Sequence, residues 1–216
     1  MRAILRKPNP GMACLLAIGG VFAPPVVATQ FPVRGTVTVG GNATSLPAGG
    51  LFGDSTYDAS SGLISAGRFT LPQGELSFDS PLGTVVAKWR LSQSNTSAGA
   101  VDPDGVAALG MASMKLAVVS AMLGGIIPID IGTCEFQPIE LYLAGTASAS
   151  GLSLADPAFA IPPVAAADCA GYGDLVNEAV AGVESSADLH IAGNFTPPAH
   201  PPEPLPDGIF VNGFEQ

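Results

Sequence analysis

The chain has 216 residues, of which 18 are acidic and 8 basic, giving a formal net charge of −10; 27 residues are glycine, 20 are proline and only 12% are charged. The acids are scattered and no basic block occurs, which argues against nucleic acid and anionic membrane surfaces as partners. The length suits one domain with a substantial core, and the abundance of Gly, Ala, Ser, Thr and Val points to many short strands and turns.

Arg2, Arg6 and Lys7 form a positive start, Met12 to Ala23 an apolar run, and Val26-Val27-Ala28 places small residues where a signal peptidase cuts. Residues 1–28 therefore read as a signal peptide, and the protein is expected to be secreted, periplasmic or at the cell surface. The apolar run of twelve residues is too short for a spanning helix, which needs about 20, and Pro24-Pro25 ends it, so no transmembrane anchor is expected. Gly11-Met12-Ala13-Cys14 loosely resembles a lipobox, but the apolar residues follow Cys14 instead of preceding it. With the leader gone, five bases remain against eighteen acids, a net charge of −13.

Residues 29–196 read as a single body. Val33, Val37 and Val39 alternate with Arg34, Thr36 and Thr38, which predicts a first strand ended by Gly40-Gly41-Asn42. After the turn-rich link Leu46–Gly50, Leu51 to Tyr57 and Leu63 to Leu71 read as further strands, the second stopped by Pro72. Leu76 to Asp79 and Thr84 to Gln93 follow, separated by the turn Asp79-Ser80-Pro81-Leu82-Gly83. In the second of these Val85, Ala87, Trp89 and Leu91 face one way and Val86, Lys88, Arg90 and Ser92 the other, the period of a half-buried antiparallel strand. Trp89, the only tryptophan, is expected to be a core anchor.

Val106 to Leu123 is open between helix and strand, because its Ala, Met and Leu content favours one and Val118-Val119 the other. Ile126-Ile127-Pro128-Ile129 leads on to Cys134; Pro138 to Ala147 reads as a strand and Ala158 to Val164 as a short extended stretch. Leu175, Val176, Ala179 and Val180 share a helical face, so one short helix is expected near residues 172–183, and Ala187 to Phe195 closes the body as a strand. The expected class is all-β, an antiparallel β-sandwich or barrel.

Ile131-Gly132-Thr133-Cys134, Leu141 to Thr146, Phe159-Ala160-Ile161-Pro162-Pro163-Val164, Cys169, Gly171, Gly173, Leu175 and Leu189 to Gly193 form an ordered pattern. In it the body resembles a group of secreted, largely uncharacterised bacterial β-sandwich proteins of actinobacterial type. The resemblance implies an antiparallel sandwich or barrel, Val106 to Leu123 extended, and no assigned activity; Ala165-Ala166-Ala167-Asp168 lengthens the link before Cys169 relative to that group. With Cys14 removed in the leader, Cys134 and Cys169 are the two cysteines left in an exported chain, and a disulfide between them is expected.

Six prolines in the eleven residues Thr196 to Pro206 mark residues 197–206 as a proline-rich spacer, since proline lacks the N–H that ladders need. Residues 207–216 then form a tail in which Ile209, Phe210, Gly213, Phe214 and Glu215 resemble the Ile-Phe-x-x-Gly-Phe-Glu motif of exported xanthomonad-type proteins. The resemblance implies a sorting or surface-related use.

Catalytic, cofactor-binding and metal sites are all expected to be none. His190 and His200 are the only histidines, one on a polar strand face and one among prolines, and no Gly-x-Ser-x-Gly elbow, phosphate loop or dinucleotide fingerprint occurs. Asp102-Pro103-Asp104-Gly105 is an ordinary turn sequence without the rest of a calcium loop, and Glu135 and Glu140 have no opposing acid along the chain. The expected function is that of an exported, non-enzymatic structural or interaction protein with a protein or envelope partner, its oligomeric state open. The alternatives are a carrier of an apolar small molecule and, behind it, a carboxylate-dependent hydrolase.

Overall fold

The computed structural model describes residues 29–46 and 49–199, which form twelve strands and two short helices. In chain order the strands are β1 (Thr29–Val39), β2 (Asn42–Ser45), β3 (Gly50–Asp58), β4 (Leu63–Thr70), β5 (Gly74–Ser80), β6 (Gly83–Gln93), β7 (Ser97–Val101), β8 (Val106–Leu123), β9 (Ile127–Ile129), β10 (Glu135–Ser148), β11 (Gly151–Phe159) and β12 (Ser185–Ala192). Helices α1 (Asp168–Gly171) and α2 (Gly173–Val180) lie between β11 and β12. The class is all-β, and the choice between sandwich and barrel falls to a barrel.

Eight strands close on themselves in the order β10, β11, β12, β1, β3, β4, β7, β8, with β8 pairing back onto β10. The remaining strands extend this barrel at one end. From Ala107 to Gly110, β8 pairs with β7; from Met114 onward the same edge pairs with β6, which carries β5 outside it. The changeover falls at Ser113, whose φ of 59° bends the strand, and the facing ladder with β10 slips on either side of Ile139. β9 then covers the last residues of β8, pairing Ile129 with Ala121 and Ile127 with Leu123. Val106–Leu123 is thus one strand of 18 residues running the length of the molecule.

One apolar core fills barrel and extension alike. Leu109, Leu143, Leu152, Leu154, Leu189 and Ile191 are buried in the barrel, while Trp89, Leu116, Ile131, Val176 and Val180 belong to the same cluster toward the extension. Arg34, Arg68, Asp188 and His190 stand on the outer wall. This polar-out, apolar-in arrangement is the reverse of a lipid-embedded barrel. No described helix is long and apolar enough to cross a membrane.

Aromatic rings lie directly on glycine backbone at the tightest places. Gly74 pairs with Trp89 across β5 and β6, and a Cβ at Gly74 would come within 2.1 Å of the indole ring. A Cβ at Gly67 would fall 1.9 Å from Phe52. Phe52 in turn stacks toward Phe69 at 4.6 Å and Phe31 at 6.5 Å, and Phe31 meets Phe195 at 4.9 Å, so an aromatic line threads the barrel. Where β4 parts from β7, the buried Gln93 closes the gap: Phe69 N–H donates to its Oε1 at 2.9 Å, and its Nε2 donates to Ser97 Oγ at 2.8 Å. A buried amide with its partners met costs little, whereas an apolar residue there would strand a backbone donor.

Several elements depart from the sequence expectation. Gly40-Gly41 turns the chain directly into β2. The strand β7, which carries almost no large apolar residues, and the first half of β11, where Leu152 and Leu154 point into the barrel, are strands beyond those expected. The helix expected near 172–183 is α2, preceded by the extra single turn α1, where Cys169 and Ala170 take φ of 56° and 55°. Pro197 and Pro198 lie against the body beside Gly105 and Gly62, so the described body reaches two residues into the proline run. The leader, Cys14, the later prolines and the tail fall outside the described residues.

The β3–β4 turn at the far end from the extension is tied by Asp58, which accepts from the Ser60 hydroxyl at 2.7 Å, the Ser60 N–H at 2.9 Å and the Ser61 hydroxyl at 2.8 Å. These donors, the Ser60 hydroxyl foremost, lower the Asp58 pKa to about 2. Because the folded value lies below the roughly 3.9 of an unfolded aspartate, this contribution is complete above about pH 4 and is lost as pH falls toward 2. Thermal melts of Asp58→Asn are expected to show a shallower loss of Tm than wild type across that window; equal slopes would contradict the assignment.

Candidate functional site

Two hairpin turns project from the extension. In the β5–β6 turn Leu82 is 71% exposed, and in the β8–β9 turn Ile126 and Ile127 are 83% and 60% exposed. Apolar residues at turn tips depart from ordinary turn chemistry, and here they adjoin a cleft. Between the tips and helix α2 lies an apolar cleft of about 340 Å³ lined by Phe78, Leu82, Val85, Ala121, Leu123, Ile127, Ile129, Ile131, Tyr172, Leu175 and Val176, with Ser80 and Asp130 among its polar members. A shallower space of about 310 Å³ continues over the tips between Leu82, Leu123, Ile126 and Ile127. Gly124-Gly125 make the β8–β9 turn, both at positive φ (60° and 72°), and Gly124 N–H donates to Thr84 O at 2.7 Å, tying one tip to the other.

The far wall of the cleft is α2, and the disulfide holds it there. Cys134 and Cys169 are bonded, and both are buried. Cys134 O accepts from Val118 N–H at 2.9 Å and Thr133 O from Cys169 N–H at 3.3 Å, so the bridge joins α1 to the strands on which the cleft is built. Asn177 locks the other side of the helix, donating to Val164 O at 2.8 Å and accepting from Val164 N–H at 2.9 Å.

A second cleft of about 410 Å³ opens on the barrel wall where β10 and β11 splay apart, between Pro138, Glu140, Tyr142, Asp156, Phe159 and Pro162. Here the fold brings together Glu140 and Asp156, two acids that the sequence left apart. Both are engaged: Asp156 Oδ2 accepts from Tyr142 N–H at 2.8 Å and Oδ1 from Ala158 N–H at 3.2 Å, while Glu140 accepts from the Tyr142 hydroxyl at 2.8 Å. That last bond raises the Tyr142 pKa above the ordinary tyrosine value. Asp156 thus satisfies the backbone donors that the splayed strands expose, and Pro138 removes one donor from the same edge.

The other singled-out residues take bland positions. Glu135 pairs with Lys115 at 2.9 Å. Asp102 closes the β7–β8 turn, its side chain accepting from Val106 N–H at 2.8 Å. His190 is exposed on β12 with Nδ1 3.2 Å from Ser153 Oγ, a serine–histidine pair that only the strand register creates. The ring lies over Gly151, where a Cβ would come 2.8 Å from Cε1 and 3.0 Å from Nε2. Among the described residues no three His, Cys, Asp or Glu side chains are grouped to hold a metal ion. His200 and the tail residues Ile209, Phe210, Gly213, Phe214 and Glu215 lie outside the described residues.

The cleft was invisible in the sequence because its walls come from three separated stretches. The signals that could have pointed to it are Leu82 in a turn and Ile126-Ile127 directly after Gly124-Gly125. Comparison with protein-family models, with curated proteins and with solved structures finds no match for this chain.

Proposed function

We propose that the chain is an exported, non-enzymatic interaction protein of the bacterial envelope or its surroundings, whose disulfide-tied barrel presents the hairpin-tip cleft to an apolar segment of a partner. The observation that carries this reading is the set of highly exposed apolar side chains, Leu82, Ile126 and Ile127, at the tips around the apolar cleft and the shallower space above it. The disulfide fits an oxidising compartment and the expected leader.

The carrier reading keeps one supporting observation. A cleft of about 340 Å³ is within the size range of small-molecule sites. The barrel interior is packed with side chains, so such a ligand would sit at the tips and not along the barrel axis. Hydrolysis has less support, because both oxygens of Asp156 are taken up by backbone donors.

Native mass spectrometry of the protein released by its own host, before and after organic extraction, separates these readings. The expected mass is that of residues 29–216 less two hydrogens, unchanged by extraction. Extractable mass would favour the carrier, and a mass retaining residues 1–28 would overturn export by a cleaved leader.

A further inference from the structure

We infer that the occupant of the hairpin-tip cleft is the Ile209–Phe214 segment of a second copy, so that copies join head to tail. This rests on the reading of the cleft given above and names its partner.

The cleft and the point where the described chain ends lie at opposite ends of the molecule. Thr196 O accepts from the Tyr57 hydroxyl at 2.6 Å, Pro197 lies beside Gly105 and Pro198 beside Gly62, all at the end where β8 begins. The cleft forms where β8 finishes, at Ala121 and Leu123. At about 3.3 Å per residue, the stretch of β8 from Val106 to Ala121 spans up to roughly 50 Å between the two. Ile209 is ten residues beyond Ala199 and reaches at most about 36 Å at full extension. By that measure Ile209 falls short of its own cleft, and although Phe214, fifteen residues beyond Ala199, reaches at most about 54 Å, only a neighbour's cleft takes the whole segment.

The chemistry of the two parts agrees. Residues 209–214 carry Ile209, Phe210, Val211 and Phe214 in a chain with few aromatics, and the cleft offers the apolar walls of Ile127, Leu175 and Val176. The prolines before Ile209 lack the N–H that a sheet ladder needs. The exposed apolar side chains at the two turn tips form a small patch, Leu63 and Val106 at the far end and Tyr142 beside the second cleft being exposed apart from it, whereas a stable face-to-face dimer needs about 800 Å² from each partner. An inserted segment suits that geometry better than a docked second body. The cleft and the segment are different surfaces, so the contact is heterologous and does not close on itself. Both copies are strongly acidic, so added salt, by screening their repulsion, should promote the association.

Sedimentation velocity on the protein from Thr29 onward, at rising concentration and at low and high salt, tests this. Wild type is expected to form species larger than dimers, more so at high salt. Phe210→Asp/Phe214→Asp, with an intact cleft, and Leu82→Asp/Ile127→Asp, with an intact segment, are each expected to stay monomeric. Leu82 and Ile127 are exposed, so their replacement leaves the core intact. Mixed, the two variants retain one productive contact and should give a heterodimer and nothing larger, an outcome that misfolding of either cannot produce. A monomeric wild type, assembly that survives either double substitution, or a mixture that stays monomeric overturns the proposal. Nile red fluorescence separates this from the cleft reading: binding to the segment variant, lost in Leu82→Asp/Ile127→Asp, preserves an apolar site even where assembly fails.

Discussion

Trp89→Ala is expected to lower the unfolding free energy by about 3 to 5 kcal/mol, the range for deleting a large buried aromatic. Trp89 is 0% exposed and stands where the extension joins the barrel core. Its indole N–H has no hydrogen-bond partner among the described residues, so Trp89→Phe loses volume but no bond and is expected to cost markedly less. The ring lies on Gly74, which makes the pair a double-mutant test. Gly74→Val alone should destabilise by about 1 to 3 kcal/mol or more through overpacking. Combined with Trp89→Ala, the valine enters the vacated space, and the double variant should be more stable than the sum of the two effects, as urea melts would show. Additive losses would mean that the ring and the glycine are not the coupled pair described.

Removing the bridge with Cys134→Ser/Cys169→Ser is expected to cost about 3 to 4 kcal/mol on the loop-entropy account, the cysteines being 35 residues apart. The second consequence is local. Without the bridge, α1 and α2 are held to the rest of the fold by the packing of Val176 and Val180, by the residue-169 N–H bond to Thr133 O and by the Asn177 bonds to Val164. Amide exchange in α2 is therefore expected to accelerate far more than in β12, and Nile red binding at the cleft to weaken in parallel. Uniform acceleration across the molecule would show that the bridge stabilises globally without shaping the cleft.

How much of this fold can be read from the chain depends on what each strand buries. β1 and β6 are legible because they bury one face only, so Val33, Val37 and Val39, and Val85, Ala87, Trp89 and Leu91, stand out by alternation. β7 is not, because its small residues fill a tight wall and give no periodic signal; Gly99, for example, packs against Ala108 O. β8 reads equally as helix because Ala107, Leu109, Met111 and Met114 are good helix formers, and only pairing on both edges makes it a strand. Barrel closure depends on contacts such as Leu109 with Leu143, remote in sequence, and no local pattern encodes it. The cysteine pair was legible from the count that remains once the leader is set aside. The cleft was not, since nothing in a turn sequence says which other turn stands beside it.

The single strand β8 also fixes how the molecule would carry load. It is flanked on one edge by β7 and then β6, and on the other by β10 and then β9. A pull between the cleft and the far end where Pro197 and Pro198 rest would run along this strand and meet its rungs side-on, so that many would have to give way together. Among the described residues one paired strand links those two ends, and the protein would answer tension as a short, stiff strut.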